Sequence, residues 1–199
     1  MMLIEETTVG VEALPLAVFK EHLRLGTGFA DDGLQDGLLE SFLRSALAAI
    51  EARTGKALIE RSFSWTVARW RGVDEQVLPI APVSAVVAVT MVDRSGTETL
   101  VDSESYVLRP DMQRPVLVAT SGTLRTIPTA GTAKIEMLAG FGPDWSDLPA
   151  DLAQAVMLLA AHYYEYRHEV QYDGGCMPFG VSALIERYRT LRLSGGGVA

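Results

Sequence analysis

The hydrophobic period changes twice along this chain, and that alone restricts it to folds in which helices flank a block of strands. Up to about Arg53 apolar residues recur every three or four positions, from Arg61 to about Gly140 every second position, and from Asp147 onward every three or four again. The longer spacing lays one apolar stripe along a helix, whereas alternation gives a strand one buried face. The predicted order is therefore two helices, a β module and two more helices, with no internal repeat.

The first helix is expected from Pro15 to Leu25, with Leu16, Phe19, His22 and Leu23 on one face behind a proline suited to a first turn. A second runs from about Asp32 to Arg53, its stripe formed by Leu34, Leu38, Leu39, Phe42, Leu43, Ala46, Leu47 and Ile50, and Gly55 is the expected left-handed stop. Five or so strands are expected in "SFSWTVARW", "VSAVVAVTMVD", "ETLVDSESYVLRP", "RPVLVA" and "TAKIEMLAG", separated by turns such as "RSGT". Asp147 is the expected N-cap of a third helix with Pro149 in its first turn, and a last helix is expected from about Val181 to Leu193 before the Gly-rich end "SGGGVA".

These elements predict an α+β fold. Residues 14–58 and 147–193 form a discontinuous four-helix part, residues 61–141 an inserted antiparallel β-sandwich or barrel, and residues 194–199 a flexible tail. Neither helical half has enough apolar surface alone. Burying a large side chain yields only about 1.5–3 kcal/mol before entropy is subtracted, so the two ends are expected to share one core.

Composition narrows the function. With 48% hydrophobic and 21% charged residues the chain is of the globular type. A net charge of -8 without a Lys/Arg run argues against a phosphate-gripping stripe, so tight nucleic-acid binding is not expected. No basic leader and no apolar window near the roughly 18 residues of a membrane span are seen, which predicts a cytosolic, soluble protein. Cys176 is the only cysteine, so neither an internal disulfide nor a thiolate cluster is expected.

The segment "HYYEYRHEV" places His162, Glu165 and His168 at spacings of three on one helix face, a pattern that serves metal only with ligands from other helices. The sole further histidine is His22 and no His-Glu-x-x-His pattern occurs, so an aromatic, polar helix end is expected instead. Cys176 lacks a base and a helix N-terminus assignable from sequence. "AGFGPDW" at 139–145 lacks the third glycine of a dinucleotide loop and reads as a turn from the last strand to the third helix. No catalytic residue, metal or cofactor is predicted. Trp, Tyr and Arg, the residues that dominate protein interfaces, are plentiful in Trp65, Trp70, Trp145, Tyr163, Tyr164, Tyr166, Arg187, Tyr188 and Arg189.

The ordered set "EARTGKAL", "LPIAPV", "AGFG", "LPADLAQA" and "HYYEYR" resembles the head–tail connector, or adaptor, proteins of tailed bacteriophages and phage-derived gene transfer agents, over about residues 14–193. The resemblance implies a structural protein of the particle, assembled in the host cytoplasm, then placed at the head–tail junction as a ring of twelve copies beneath the portal protein. Such a ring extends the DNA channel and docks the next stopper or tail-completion protein; DNA passes through without specific binding. His162, Tyr163, Tyr164, Glu165 and Arg167 look like the family's third-helix pattern.

Two contact regions are expected. Ile185, Tyr188, Arg189, Leu191, Arg192 and Leu193 are poorly accounted for by an internal core and are assigned to the portal. Arg94, Ser95 and Gly96, or Asp111 and Arg114, are assigned to neighbouring subunits or the stopper. A ligand- or carbohydrate-binding β module using Trp65, Trp70 and Trp145 is the alternative, and a metal-dependent hydrolase on His162, Glu165 and His168 a third reading.

Overall fold

The computed structural model describes residues 2–25, 35–167 and 177–189. Among them lie strands β1 (Met2–Glu5), β2 (Arg61–Val67), β3 (Glu75–Val77), β4 (Val83–Val92), β5 (Glu98–Leu100), β6 (Tyr106–Arg109), β7 (Val116–Ala119) and β8 (Thr132–Ala139), and helices α1 (Leu16–His22), α2 (Asp36–Thr54), α3 (Ala150–Glu165) and α4 (Phe179–Ile185). The fold is α+β, as the two changes of period require.

The helices share one core. Phe19 of α1, Leu39, Leu43, Leu47 and Ile50 of α2, Leu152, Val156 and Leu159 of α3, and Val181 and Ile185 of α4 are buried in a single cluster. The α2 stripe is narrower than its sequence suggests: Leu38 is 44% exposed, and Leu34 lies outside the described residues. Gly55 ends α2 in the left-handed region, φ 69°, with its N–H on Glu51 O at 2.8 Å.

The strands form two antiparallel sheets, ordered β1-β2-β8-β4-β5 and β3-β7-β6. Phe63, Trp65 and Val67 of β2 and Ala133, Ile135 and Met137 of β8 face a second cluster that also takes Leu117 and Ala119 of β7, so both sheets cover one interior. Strict alternation made β2 and β8 legible. The short β3 and the N-terminal β1 are additions to the expected five, and the strand expected in "ETLVDSESYVLRP" is two, β5 and β6, in different sheets; β1 pairs with β2 from Met2 opposite Thr66 to Glu5 opposite Phe63, and its four residues are exposed.

The segments that lead into and out of the β module run side by side. Phe141 N–H donates to Leu58 O at 3.0 Å, Glu60 N–H to Gly142 O at 2.8 Å, and Gly140 N–H to Pro82 O at 3.0 Å. Gly140 is required there twice over: its φ is +145°, and a Cβ would fall 2.2 Å from the Glu60 Cα. The turn reading of "AGFGPDW" gains a specific content, a close backbone crossing between two cores.

Three helix boundaries depart from expectation. Asp147 does not cap α3; it closes a capping box with Asp144 around a short 3-10 turn, Trp145–Asp147, and Pro149 stands at the N-cap. Proline's fixed φ and missing N–H make it suited to that start. Pro15 likewise precedes α1 at its N-cap. The last helix ends at Ile185 and tightens into a 3-10 turn over Glu186–Tyr188, while residues from 190 onward lie outside the described residues.

Gly140→Ala is expected to cost about 2 kcal/mol or more in urea unfolding, since strain and a backbone clash coincide. Gly55→Ala, where nothing lies within 4 Å of an added Cβ, is expected to cost only about 1 kcal/mol.

Candidate functional site

The two cores meet at a polar junction built around Arg61, the first residue of β2. Its side chain is 7% exposed: Nη2 donates to Glu51 Oε2 on α2 at 2.8 Å and to Glu5 Oε2 on β1 at 3.2 Å, Nη1 donates to Glu51 Oε1 at 3.0 Å and to Ile59 O at 3.1 Å, and Nε lies 2.7 Å from Glu5 Oε1 in an ion pair without hydrogen-bond geometry. Glu51 Oε1 also accepts the Leu58 N–H at 2.7 Å. Burial opposes the charge on Arg61, and the Glu51 and Glu5 carboxylates outweigh it, holding its pKa above the ordinary value. Helix, inserted module and N-terminal strand are thereby fixed to one side chain.

A second polar cluster lies where the β module approaches α4. Lys56, 1% exposed, donates from Nζ to Gln113 Oε1 at 2.7 Å, and Gln113 Nε2 donates to Arg187 O at 3.3 Å. Asp111 Oδ1 shapes this loop by accepting the Gln113 and Arg114 N–H groups at 2.7 and 2.6 Å. Burial lowers the Lys56 pKa and the Asp111 charge partly restores it. Asp111 itself is held below the usual carboxylate range, first by the Arg114 and Gln113 backbone bonds.

The residues assigned to the portal divide. Ile185 and Tyr188 are each 2% exposed, a correction to the expectation that an internal core accounts poorly for them. Tyr188 packs edge-on against Phe141 at 6.3 Å, and its hydroxyl donates to Asp151 Oδ1 at 2.7 Å, while Arg187 Nη2 lies 2.8 Å from Asp151 Oδ2. Val181, Ile185 and Tyr188 stand at i, i+4 and i+7, the spacing of one buried helix face, so the inward turn of Ile185 and Tyr188 was legible in the sequence. Arg189 is exposed and pairs with Glu186 at 3.0 Å. Leu191, Arg192 and Leu193 lie outside the described residues.

Arg94, Ser95 and Gly96 form the exposed β4–β5 turn, held by Asp93 Oδ1, which accepts the Ser95 and Thr97 N–H groups at 2.7 and 2.9 Å. Asp111 and Arg114 belong to the other loop, and the Gln113–Arg187 bond brings that loop to the base of the C-terminal segment. Two regions that the sequence separates are one surface. Lys56, Gln113 and Asp151, which join it, carry no local signal in the sequence, because a bond between residues 57 positions apart has no period.

The end of α3 is an aromatic stack. Tyr164 meets Phe42 edge-on at 6.1 Å, Arg167 lies 4.4 Å over the Tyr164 ring and donates to Tyr164 O at 2.7 Å, and His162 lies 4.6 Å from Tyr166. Tyr163 is half-buried against the helical core and Glu165 is exposed. His168 and Cys176 lie outside the described residues, among which no group of three His, Cys, Asp or Glu side chains could hold a metal ion. Trp65 is buried inside the sheets and Trp145 packs on the helical core, so neither offers a stacking platform. Trp70 donates from Nε1 to Arg125 O at 2.8 Å. The shallow groove beside it, lined by Val101, Asp102, Ser105, Arg125 and Thr126, contains no tryptophan. Among the described residues no helix is long and apolar enough to cross a membrane.

Neither a family model nor a curated protein matches the chain. Among solved structures it is similar to a chain of the neck of an empty GTA particle computed with C6 symmetry, at 56% identity and a TM-score of 0.90, covering 98% of this chain and 99% of that one. A chain of the virion of a native gene transfer agent (GTA) particle is 55% identical with a TM-score of 0.86, and a chain of the neck of a native GTA particle computed with C12 symmetry is 51% identical with a TM-score of 0.84, both over 98% of this chain and 99% of that one.

Arg61→Met is expected to lower unfolding stability by about 2–3 kcal/mol, since it strands the half-buried Glu51 while Glu5 stays hydrated, and Glu51→Gln in the same chain is expected to restore part of the loss. For Lys56 the sign is the reverse of a salt bridge: the folded state binds its proton less tightly than the unfolded chain. Stability is therefore expected to rise as pH climbs through the lowered folded pKa toward the ordinary 10.5. Lys56→Met should remove that alkaline rise in denaturation followed at several pH values.

Proposed function

The chain belongs to the neck proteins of gene transfer agent particles, and from that premise we propose that it is the head–tail adaptor, a ring of twelve copies seated beneath the portal protein. The observation that carries this reading is near-complete coverage, 98% of this chain and 99% of the other, against a neck component computed with C12 symmetry. A cyclic ring requires two different, mutually complementary faces on each subunit. Two cores joined through the Arg61 junction supply a subunit with distinct helical and β ends.

The adaptor is a structural part that lengthens the DNA channel and carries the next stopper or tail-completion protein. A net charge of -8 suits a wall past which a duplex slides, because a surface that neutralised many phosphates would hold the DNA in place. The chain is made in the host cytoplasm and joins the particle at the head–tail junction. Its C-terminal segment meets the portal: Ile185 and Tyr188 anchor the base of that segment in the helical core, and Arg189, Leu191, Arg192 and Leu193 are the residues assigned to the portal contact. The Arg94–Gly96 turn faces a neighbouring subunit or the stopper.

Truncation after Leu191 keeps Ile185 and Tyr188, the buried residues of the segment among those described, and is expected to leave a folded subunit that no longer co-sediments with purified portal assemblies. A truncated chain that binds portal as the full chain does would refute the C-terminal docking.

A further inference from the structure

The five-stranded sheet ends in two open edges of unlike construction. At one edge β1 pairs with β2 alone, and among the described residues no strand lies on its other side. Met2, Leu3 and Ile4 are all exposed there. An apolar edge strand offers both unpaired backbone groups and uncovered side chains, and proteins that keep such an edge free blunt it with lysine, proline or a bulge. β1 has none of these: its sequence is Met-Leu-Ile-Glu and its register against β2 runs without a shift. It is nevertheless held in place by that pairing, by the Glu5–Arg61 ion pair at 2.7 Å, and by the Glu6 N–H, which donates to Ser62 O at 2.9 Å. At the opposite edge β5 covers only Thr90–Val92 of β4. Val87 of β4 and Leu100 of β5 are exposed on that side of the sheet, at 61% and 70%.

We infer that β1 is one half of the lateral contact between copies of this chain, its Met2, Leu3 and Ile4 edge seated against the β4–β5 edge of a second copy at Val87 and Leu100. The inference rests on the ring reading and names the faces that close the ring. Cyclic symmetry decides which surfaces can meet. Two β1 edges pair with each other only about a two-fold axis, and that contact is complete with two copies. Neighbours in a ring of the kind computed with C12 symmetry for the matched neck meet through unlike faces. The two ends of one sheet are unlike faces on opposite sides of the β module, so a contact between them repeats from copy to copy. Their chemistry also matches, since both edges set apolar side chains out into water and a mutual contact removes that area from solvent. DNA is a poor occupant, because β1 carries no cation and ends at Glu5 and Glu6, which repel a phosphate backbone. The backbone of β1 is fixed on β2 before a neighbour arrives, which reduces the ordering cost of binding.

Cross-linking in assembled particles tests the contact directly. A photo-reactive residue at position 4 is expected to give a covalent dimer of this chain, joined at a peptide that contains Val87 or Leu100. A link elsewhere on a second copy, to another neck protein, to DNA or within the same chain overturns the inference, as does no link while the chain is present in the particle. Leu100→Glu supplies a second reading. Leu100 is 70% exposed, so the variant is expected to unfold at the same urea concentration as the unaltered chain. The copies retained per gradient-purified particle are expected to fall at least about tenfold, because the contact then buries an unpaired charge. Full retention of the variant overturns the inference. Absence of the unaltered chain from particles defeats the neck reading itself, whereas its presence without the position-4 link defeats only the lateral contact.

Discussion

The arrangement of this subunit depends on one buried cation. Arg61 begins β2, but its guanidinium reaches back to Glu51 on α2 and sideways to Glu5 on β1, so the β module is tied to the helices by ion pairs at 2.7 and 2.8 Å. Burying a charge is unfavourable unless it is paired, and here two carboxylates and the Ile59 carbonyl surround it, although Nε makes an ion pair and no hydrogen bond. Beside it, the two backbone segments crossing between the cores are hydrogen-bonded to each other, and the absence of a side chain at Gly140 allows their close approach.

The two cores were legible because each obeys a single period. The α2 stripe from Leu39 to Ile50, the alternation of β2 and β8, and the Gly55 cap are all local consequences of residue spacing. What escaped is what has no period. β1 has no alternation to announce it: Met2, Leu3, Ile4 and Glu5 are all exposed, and backbone pairing together with the Glu5–Arg61 ion pair holds it to β2. Ile185 and Tyr188, by contrast, follow Val181 at i+4 and i+7, so the burial that sets Tyr188 against Phe141 and Asp151 was legible in the spacing. Lys56, Gln113 and Arg187 come together only through the tertiary fold.

The same distinction governs the site. Of the helix residues singled out in the sequence, Tyr164 and Arg167 close the end of the helical core by an edge-on contact with Phe42 and a cation–π contact, and His162 stacks beside Tyr166.

The measurement that most directly tests the account is quantitative mass spectrometry of this chain and the portal protein in gradient-purified tailed particles. A ratio near one, retained through the density gradient, is the result expected for an adaptor ring matched to the portal. Recovery of the chain only from the soluble fraction, with intact tailed particles lacking it, would contradict the account.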